Sequence, residues 1–133
     1  MIFKYFDITP KIIRPIVPII LKSSTRIAFY TALIDSGADY CIFGLGVAEA
    51  LNIELKPQNK TKVSGVGKEL VEGFLTDIEI KIGHVMYRTK VIFADISDFG
   101  HGILGQQGFF NHFDVKLSYQ KQIIEIEPTK HSN

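Results

Sequence analysis

A single aspartate follows an apolar segment at the point where the chain carries turn-forming residues. Residues 32–38 read Ala-Leu-Ile-Asp-Ser-Gly-Ala, so Asp35 stands at the end of a predicted buried strand. Ser36 offers a hydrogen-bonding hydroxyl beside the carboxylate, and Gly37 allows a sharp turn and a close approach to a ligand. A carboxylate held in this way can act in acid–base chemistry. The tripeptide alone is more typical of a plain turn, because all three residues are common turn formers.

Size and composition limit the classes of function. The chain has 133 residues, 46% of them hydrophobic and 22% charged, and a net charge of +1. These values indicate one soluble globular domain over residues 1–133, with its core at about residues 12–127. The charges are mixed and no apolar stretch reaches the length of a membrane span, so we expect no nucleic-acid or membrane partner. One cysteine, Cys41, excludes an internal disulfide and favours a buried residue in a cytoplasmic protein.

Predicted strands account for most of the chain. Residues 11–21 are apolar but interrupted by two prolines and Arg14, which favours an edge or interface strand. Residues 16–21 and 26–34 are predicted to form a hairpin, and residues 40–43 a short strand. Residues 74–82 alternate so that Ile78, Ile80 and Ile82 share one face, and residues 85–94 form the next strand. We expect short helices over residues 47–51 and 105–112, and a last hairpin from residues 114–119 and 122–127.

The order of these features resembles the retroviral-type (retropepsin-like) aspartic proteases over about residues 12–127. Residues 32–39, Ala-Leu-Ile-Asp-Ser-Gly-Ala-Asp, are close to the active-site motif of that family. Residues 102–105, Gly-Ile-Leu-Gly, are similar to its second signature, and residues 14–17, Arg-Pro-Ile-Val, to the start of the viral enzymes. The resemblance implies a mostly β, closed, barrel-like fold with a flap hairpin and one or two short helices, working as a homodimer.

The chain carries only one such motif. None of the other aspartates is followed by Ser/Thr-Gly; these are Asp7, Asp39, Asp77, Asp95, Asp98 and Asp114. An acidic dyad therefore needs two copies of Asp35 related by a twofold axis. The expected function is a homodimeric endopeptidase that cleaves extended apolar peptide segments with a water molecule activated by both carboxylates. The alternative is a catalytically inactive peptide-binding or dimerisation module of the same fold.

The resemblance assigns roles to further residues. Asp35, Ser36 and Gly37 are the expected catalytic residues, with Ser36 bonding across the axis and the Gly37 carbonyl facing substrate. The expected substrate-binding residues comprise a flap tip and a set of groove residues: Ser64, Gly65, Val66, Gly67, Ala38, Asp39, Ile103 and Leu104. A mobile hairpin and plain core residues are the alternatives for the flap tip and for the apolar members.

A dimer seam is expected at the two ends of the chain. Arg14 is a predicted partner of Asp39 in the other subunit, and the last hairpin is expected to supply Ile123, Ile124 and Ile126. An ordinary sheet edge is the alternative for that hairpin. Gln106 departs from the viral pattern, which often has arginine after the Ile-Leu-Gly glycine. The histidines have no paired spacing, so no metal and no cofactor is expected.

Overall fold

Strands make up most of the structure, a computed structural model that describes residues 1–64, 70–96 and 100–130. The strands are β1 (Ile2–Lys4), β2 (Phe6–Thr9), β3 (Ile12–Arg14), β4 (Ile16–Lys22), β5 (Ile27–Ile34), β6 (Ile42–Gly44), β7 (Lys60–Ser64), β8 (Leu70–Ile82), β9 (Val85–Ala94), β10 (Gly102–Leu104), β11 (Phe113–Ser118) and β12 (Ile123–Pro128). Helix α1 covers Leu45–Ala50, and a single 3-10 turn covers Pro57–Asn59. The predicted mostly β fold class is confirmed.

The largest sheet closes on itself. Its seven strands run in the order β4-β5-β10-β6-β9-β8-β7, and β8 pairs with β4 as well. Strand β8 is long enough for both partners, since residues 70–74 pair with β7 and residues 79–81 with β4. The resulting ring of strands encloses the main hydrophobic core.

The alternation predicted for β8 is what fills this core. Ile78, Ile80 and Ile82 are all buried, whereas Glu79 and Lys81 between them are half-buried. Helix α1 covers one side of the core with Ala48, and Leu51, directly after the helix, is buried there as well. The helix stops where predicted, because Asn52 has a φ of 56°, outside the right-handed helical region.

The two ends of the chain form a separate sheet with the order β1-β12-β11. Strand β1, which the sequence analysis missed, pairs Phe3 with Ile124. Ile124 and Ile126 are 0% exposed within one subunit, because they point into the main core. These two side chains therefore cannot form a surface seam, and the expectation that they do so is wrong. Ile123 is half-buried.

The helix predicted for residues 105–112 is absent. The segment forms consecutive turns, in which Phe110 N donates to Gly105 O at 3.1 Å and Asn111 N to Gln106 O at 3.0 Å. Gly108 has a φ of +100°, and its N–H donates to the Asn111 side chain at 2.9 Å. A residue with this φ cannot continue a right-handed helix, which explains the wrong prediction.

The apolar residues 11–21, predicted as one edge or interface strand, are divided between two strands in the structure. Pro15 has no N–H and separates β3 from β4. Strand β4 joins the large sheet, while β3 pairs with β2 in a two-stranded sheet. We call this two-stranded sheet, residues 6–14, the N-terminal arm.

Candidate active site

Asp35 lies directly after β5, at a point where the backbone is held from two sides. Strand β10 runs parallel to β5, with Leu104 in register with Ile34. The N–H of Asp35 donates to the Leu104 carbonyl at 2.9 Å, and the N–H of Ile34 donates to the Pro15 carbonyl at 2.9 Å. The two sequence signatures thus meet in space, and the Ile-Leu-Gly segment supports the strand that carries the aspartate.

The turn after β5 orients the carboxylate. The N–H of Gly37 donates to Asp35 Oδ1 at 2.9 Å, and the N–H of Ala38 donates to the Asp35 carbonyl at 3.1 Å. Asp35 is half-buried, whereas Ser36 and Gly37 are exposed. The carboxylate is therefore fixed by its own loop while that loop faces solvent, as a group that acts on an external ligand requires.

Gln106 holds the same loop from outside. Its side-chain Nε2 donates to the Ser36 carbonyl at 2.7 Å, and its backbone N–H donates to the Ala38 carbonyl at 2.8 Å. The sequence marks this residue only as a departure from the viral pattern. Its contact with the Asp-Ser-Gly loop could not be found from spacing, because 70 residues separate Gln106 from Ser36.

Gly105 permits this close approach. A Cβ atom at this position would lie 2.7 Å from the Ala38 carbonyl oxygen and still closer to the Tyr40 carbonyl oxygen. Both are backbone atoms, so neither can move aside without shifting the Asp-Ser-Gly loop. The second signature therefore needs glycine at this position for steric reasons.

Cys41 lies beneath the loop as an inert thiol. It is fully buried, and burial raises the pKa of its thiol to about 12. The Gly105 N–H donates to its sulfur at 3.4 Å. A thiol with such a pKa stays neutral at physiological pH and is a poor nucleophile, so the predicted buried role is confirmed.

A cavity of about 190 Å³ opens beside the loop. Its lining combines the segment after Asp35 with residues of β7 and β8 that flank residues 65–69: Gly37, Ala38, Asp39, Tyr40, Ile42, Lys62, Val63 and Leu70. Ser64 pairs with Leu70 at the end of β7. Gly65, Val66 and Gly67, the remaining predicted flap residues, lie outside the described residues.

The other predicted substrate-binding residues occupy different depths. Ala38 is half-buried and packs on a small apolar cluster that contains Ile103, whereas Asp39 is exposed at the cavity wall. Leu104 is 0% exposed and belongs to the main core. For Leu104 the core alternative therefore holds within one subunit, and its contact with the site is its backbone carbonyl.

Residues 1–64, 70–96 and 100–130 contain neither a cluster of metal ligands nor a membrane-spanning helix. There, no three or more His, Cys, Asp or Glu side chains are arranged to hold a metal ion. Over the same ranges, no helix has the length and apolar character to cross a membrane. Arg14, the predicted partner of Asp39, is exposed at the end of β3.

Comparison with known proteins agrees with this geometry. A family model described as aspartyl protease matches residues 27–107, which is more than half of the chain and includes the Asp35 loop and Gln106. No curated protein matches significantly in sequence.

Solved structures are similar in fold. EIAV protease in complex with the inhibitor HBY-793 superposes with a TM-score of 0.54 at 25% identity, covering 76% of this chain and 86% of that chain. The retroviral protease-like domain of Ddi1 from Leishmania major gives a TM-score of 0.62 at 15% identity, covering 88% of this chain and 90% of that chain. These likenesses confirm the predicted retropepsin-like fold.

Proposed function

This chain belongs to the aspartyl protease family, and on that premise we propose that it is a homodimeric endopeptidase with one Asp35 from each subunit. The observation that carries the proposal is the support of Asp35. Its own N–H, the N–H before it and one carboxylate oxygen are each held by a backbone group at 2.9 Å. A carboxylate positioned this firmly is suited to catalysis, where small displacements are costly.

The second carboxylate must come from a second copy. The sequence has a single Asp-Ser-Gly motif, and one subunit presents a single loop of this kind. In the proposed dimer the twofold axis brings the two Asp35 side chains to about 3 Å from each other, where they share one proton.

Hydrolysis then follows from this shared proton. The ionised carboxylate takes a proton from a bound water, and the water oxygen attacks the peptide carbonyl carbon. The protonated carboxyl group donates its hydrogen bond to the developing oxyanion. As the carbon–nitrogen bond breaks, the amine nitrogen takes up a proton from the dyad, and the products are a carboxylic acid and an amine.

The substrate we propose is an extended peptide with apolar side chains. The cavity of about 190 Å³ has Ala38, Ile42 and Val63 among its lining residues, so it suits one apolar side chain. Strand β7 ends and strand β8 begins beside it, where a flap formed by residues 64–67 would pair with an extended backbone. Asp39 at the cavity wall, with Arg14 of the other subunit, would border the site.

The first experiment compares two aspartates in the full chain. We expect Asp35→Asn to abolish cleavage of an apolar peptide pool at pH 4–6 while leaving the oligomeric state unchanged. Asp77→Asn is the matched control, because Asp77 is a surface residue whose contact is with Lys90 on the neighbouring strand. Mass spectrometry of the pool measures cleavage. Cleavage by Asp35→Asn at the rate of the unsubstituted chain refutes the proposal.

The same experiment separates the enzyme from an inactive binding module. If the unsubstituted chain cleaves nothing but binds the pool, the fold serves peptide binding only. The firm hold on the Asp35 carboxylate favours the enzyme, because a binding module has no need of an oriented acid at this position.

A further inference from the structure

Strand β5 has an edge that is open over part of its length. On the side away from β4, strand β10 pairs with residues 32–34 of β5. Within the described ranges, no strand pairs with residues 27–31 on that side. These residues span about 16 Å of extended backbone, which is long enough to pair with a short peptide strand.

The backbone groups of Phe29 and Thr31 point to this open edge. Asp35 directs its N–H to strand β10, whereas Ile34 directs its N–H to the opposite side, next to β4. This direction alternates along a strand, and β4 pairs with residues 27–33 of β5 without a register shift. The N–H and carbonyl groups of Phe29 and Thr31 therefore point to the same side as the N–H of Asp35.

A cavity of about 440 Å³, which we call the β5 edge groove, lies along this open edge. It is lined by residues 28–30 of β5, by residues 44–47 and Ala50 at helix α1, and by Asp95 and Ile96. Farther along the sheet, β10 fills the space between β5 and β6, so this space has the width of one strand. By register, a strand that continued beyond Gly102 would lie between β5 and Gly44, where the groove is.

The β5 edge groove offers apolar contacts and room for side chains. Phe29 is 80% exposed and Leu45 is 38% exposed. A Cβ atom at Gly44 or at Gly46 would meet no other atom within 4 Å. Open sheet edges commonly carry charged residues or proline, and residues 27–31, Ile-Ala-Phe-Tyr-Thr, include neither. An extended apolar peptide would gain main-chain hydrogen bonds from the edge and would bury the exposed ring of Phe29.

We propose that the β5 edge groove binds an extended apolar segment of the polypeptide substrate, at a distance from the bond that is cut. This inference rests on the proposed function and adds a second contact with the same substrate. The occupant is the substrate because the open edge and the candidate active site belong to one strand, with Thr31 about 13 Å from Asp35. A polypeptide bound at Asp35 in an extended form continues beyond the site, and a few further residues reach the groove.

The first test follows the backbone amides of β5 by hydrogen exchange and NMR. The protein is the Asp35→Asn chain, and the probe is a blocked hexapeptide in which valine and threonine alternate. In the free chain we expect the amides of Phe29 and Thr31 to exchange faster than the amide of Tyr30, which faces β4. Excess hexapeptide should slow the exchange of Phe29 and Thr31 by at least about tenfold, because both amides become hydrogen-bonded.

Two results of this experiment overturn the inference. One is unchanged exchange of Phe29 and Thr31 in the presence of the hexapeptide. The other is exchange in the free chain that is as slow for these two amides as for Tyr30, because the edge would then be paired already.

The second test measures cleavage by the unsubstituted chain as a function of substrate length. The short substrate is an apolar peptide from the pool that is cleaved. Two long substrates carry the same hexapeptide at the amino or the carboxyl end, joined by about eight glycine and serine residues that span about 16 Å on average. We expect at least one long substrate to have a KM at least about fivefold lower at unchanged kcat, because the groove raises its effective concentration at the site.

Filling the groove should remove this advantage. Gly44 lines the groove and has φ −68° and ψ 155°, which a leucine also adopts. Gly44→Leu should give the long substrates the KM of the short one, with kcat and KM for the short substrate unchanged. Met86→Leu is the matched control and should keep the full advantage, because Met86 is 47% exposed on β9 and does not line the groove.

The outcomes distinguish the groove from the proposed enzyme. If the short substrate is cleaved and neither long substrate has a lower KM, the inference falls and the endopeptidase stands. Amide protection by the hexapeptide without any effect of substrate length would assign the groove to a segment of another protein, which also overturns the inference. If no peptide is cleaved, the endopeptidase falls, and the substrate falls with it as the occupant of the groove.

Discussion

At the scale of single residues, the candidate site depends on hydrogen bonds that reach the Asp35 loop from distant parts of the chain. Leu104 and Pro15 hold the backbone of β5 through their carbonyl groups, and Gln106 holds the Ser36 carbonyl through its side chain. Two bonds are local to the turn, from the Gly37 N–H to the Asp35 carboxylate and from the Ala38 N–H to the Asp35 carbonyl. The sequence predicts the turn from the chemistry of Asp-Ser-Gly, but it does not predict which residues hold that turn from a distance.

Gln106 is a positioning residue on this account. Gln106→Met keeps the shape of the side chain and removes the donor to Ser36. A hydrogen bond of this kind is worth about 0.5–1.5 kcal/mol, so we expect kcat to fall by about 2–13-fold while KM changes by less than about twofold. Steady-state kinetics on a single apolar peptide makes this measurement.

The neighbouring glutamine is the control for this prediction. Gln107 is also exposed, but its side-chain oxygen accepts a hydrogen bond from Asn111 instead of contacting the loop. Gln107→Met should therefore leave kcat unchanged. Equal losses of kcat in both variants would show that the Ser36 contact has no special role.

At the scale of elements, the site is formed where β10 lies between β5 and β6. The parallel pairing of β10 with β5 places the Ile-Leu-Gly segment against the strand that carries Asp35. The turns after β10 then fold back on the Asp-Ser-Gly loop through Gln106 and Gly105. These turns replace the helix that the sequence predicts, and the reversal at Gly108 is what makes them possible.

The steric role of Gly105 gives a stability prediction. Gly105→Ala forces a methyl group against the carbonyl groups of Ala38 and Tyr40, and we expect it to lower the free energy of unfolding by at least about 2 kcal/mol. Urea denaturation followed by circular dichroism measures the change. Gly46→Ala is the control, because a Cβ atom at Gly46 in helix α1 would meet no atom within 4 Å.

The control variant Gly46→Ala should be more stable than the unsubstituted chain. Alanine is a better helix former than glycine, so Gly46→Ala should raise the free energy of unfolding by up to about 1 kcal/mol. A Gly105→Ala variant as stable as the unsubstituted chain would contradict the close approach between β10 and the loop.

At the scale of the whole molecule, the proposed enzyme has an active site only when two chains meet. Subunit mixing tests this directly. When unsubstituted and Asp35→Asn chains are mixed equally at constant total concentration, random pairing leaves about one quarter of the dimers with two aspartates. We expect about one quarter of the original cleavage rate, because a mixed dimer lacks one carboxylate.

A monomeric enzyme would give a different cleavage rate in this mixture. A monomeric site would retain about one half of the original rate in the same mixture, since half of the chains keep Asp35. An equal mixture with Asp77→Asn should keep the full rate. The cleavage rate per chain should also fall on dilution below the dissociation constant of the dimer.

The sequence by itself determined the features that depend on neighbouring residues. It specified the Asp-Ser-Gly turn, the alternation that buries Ile78, Ile80 and Ile82, and the end of helix α1 near Asn52. These features follow from side-chain periodicity and local backbone geometry, which a single sequence shows. The family resemblance, carried by motifs at residues 32–39 and 102–105, was likewise confirmed.

Only the tertiary structure decided which residues meet across long sequence separations. It placed Leu104, Ile124 and Ile126 in the core, paired β1 with β12, and brought Gln106 to Ser36. The sequence pattern of a strand isoleucine is the same whether its side chain packs in the core or against a second subunit, because hydrophobicity does not specify what the side chain contacts. The burial of these side chains and the contact between Gln106 and Ser36 depend on how the strands pair in the closed sheet, and so they exist only once the chain has folded.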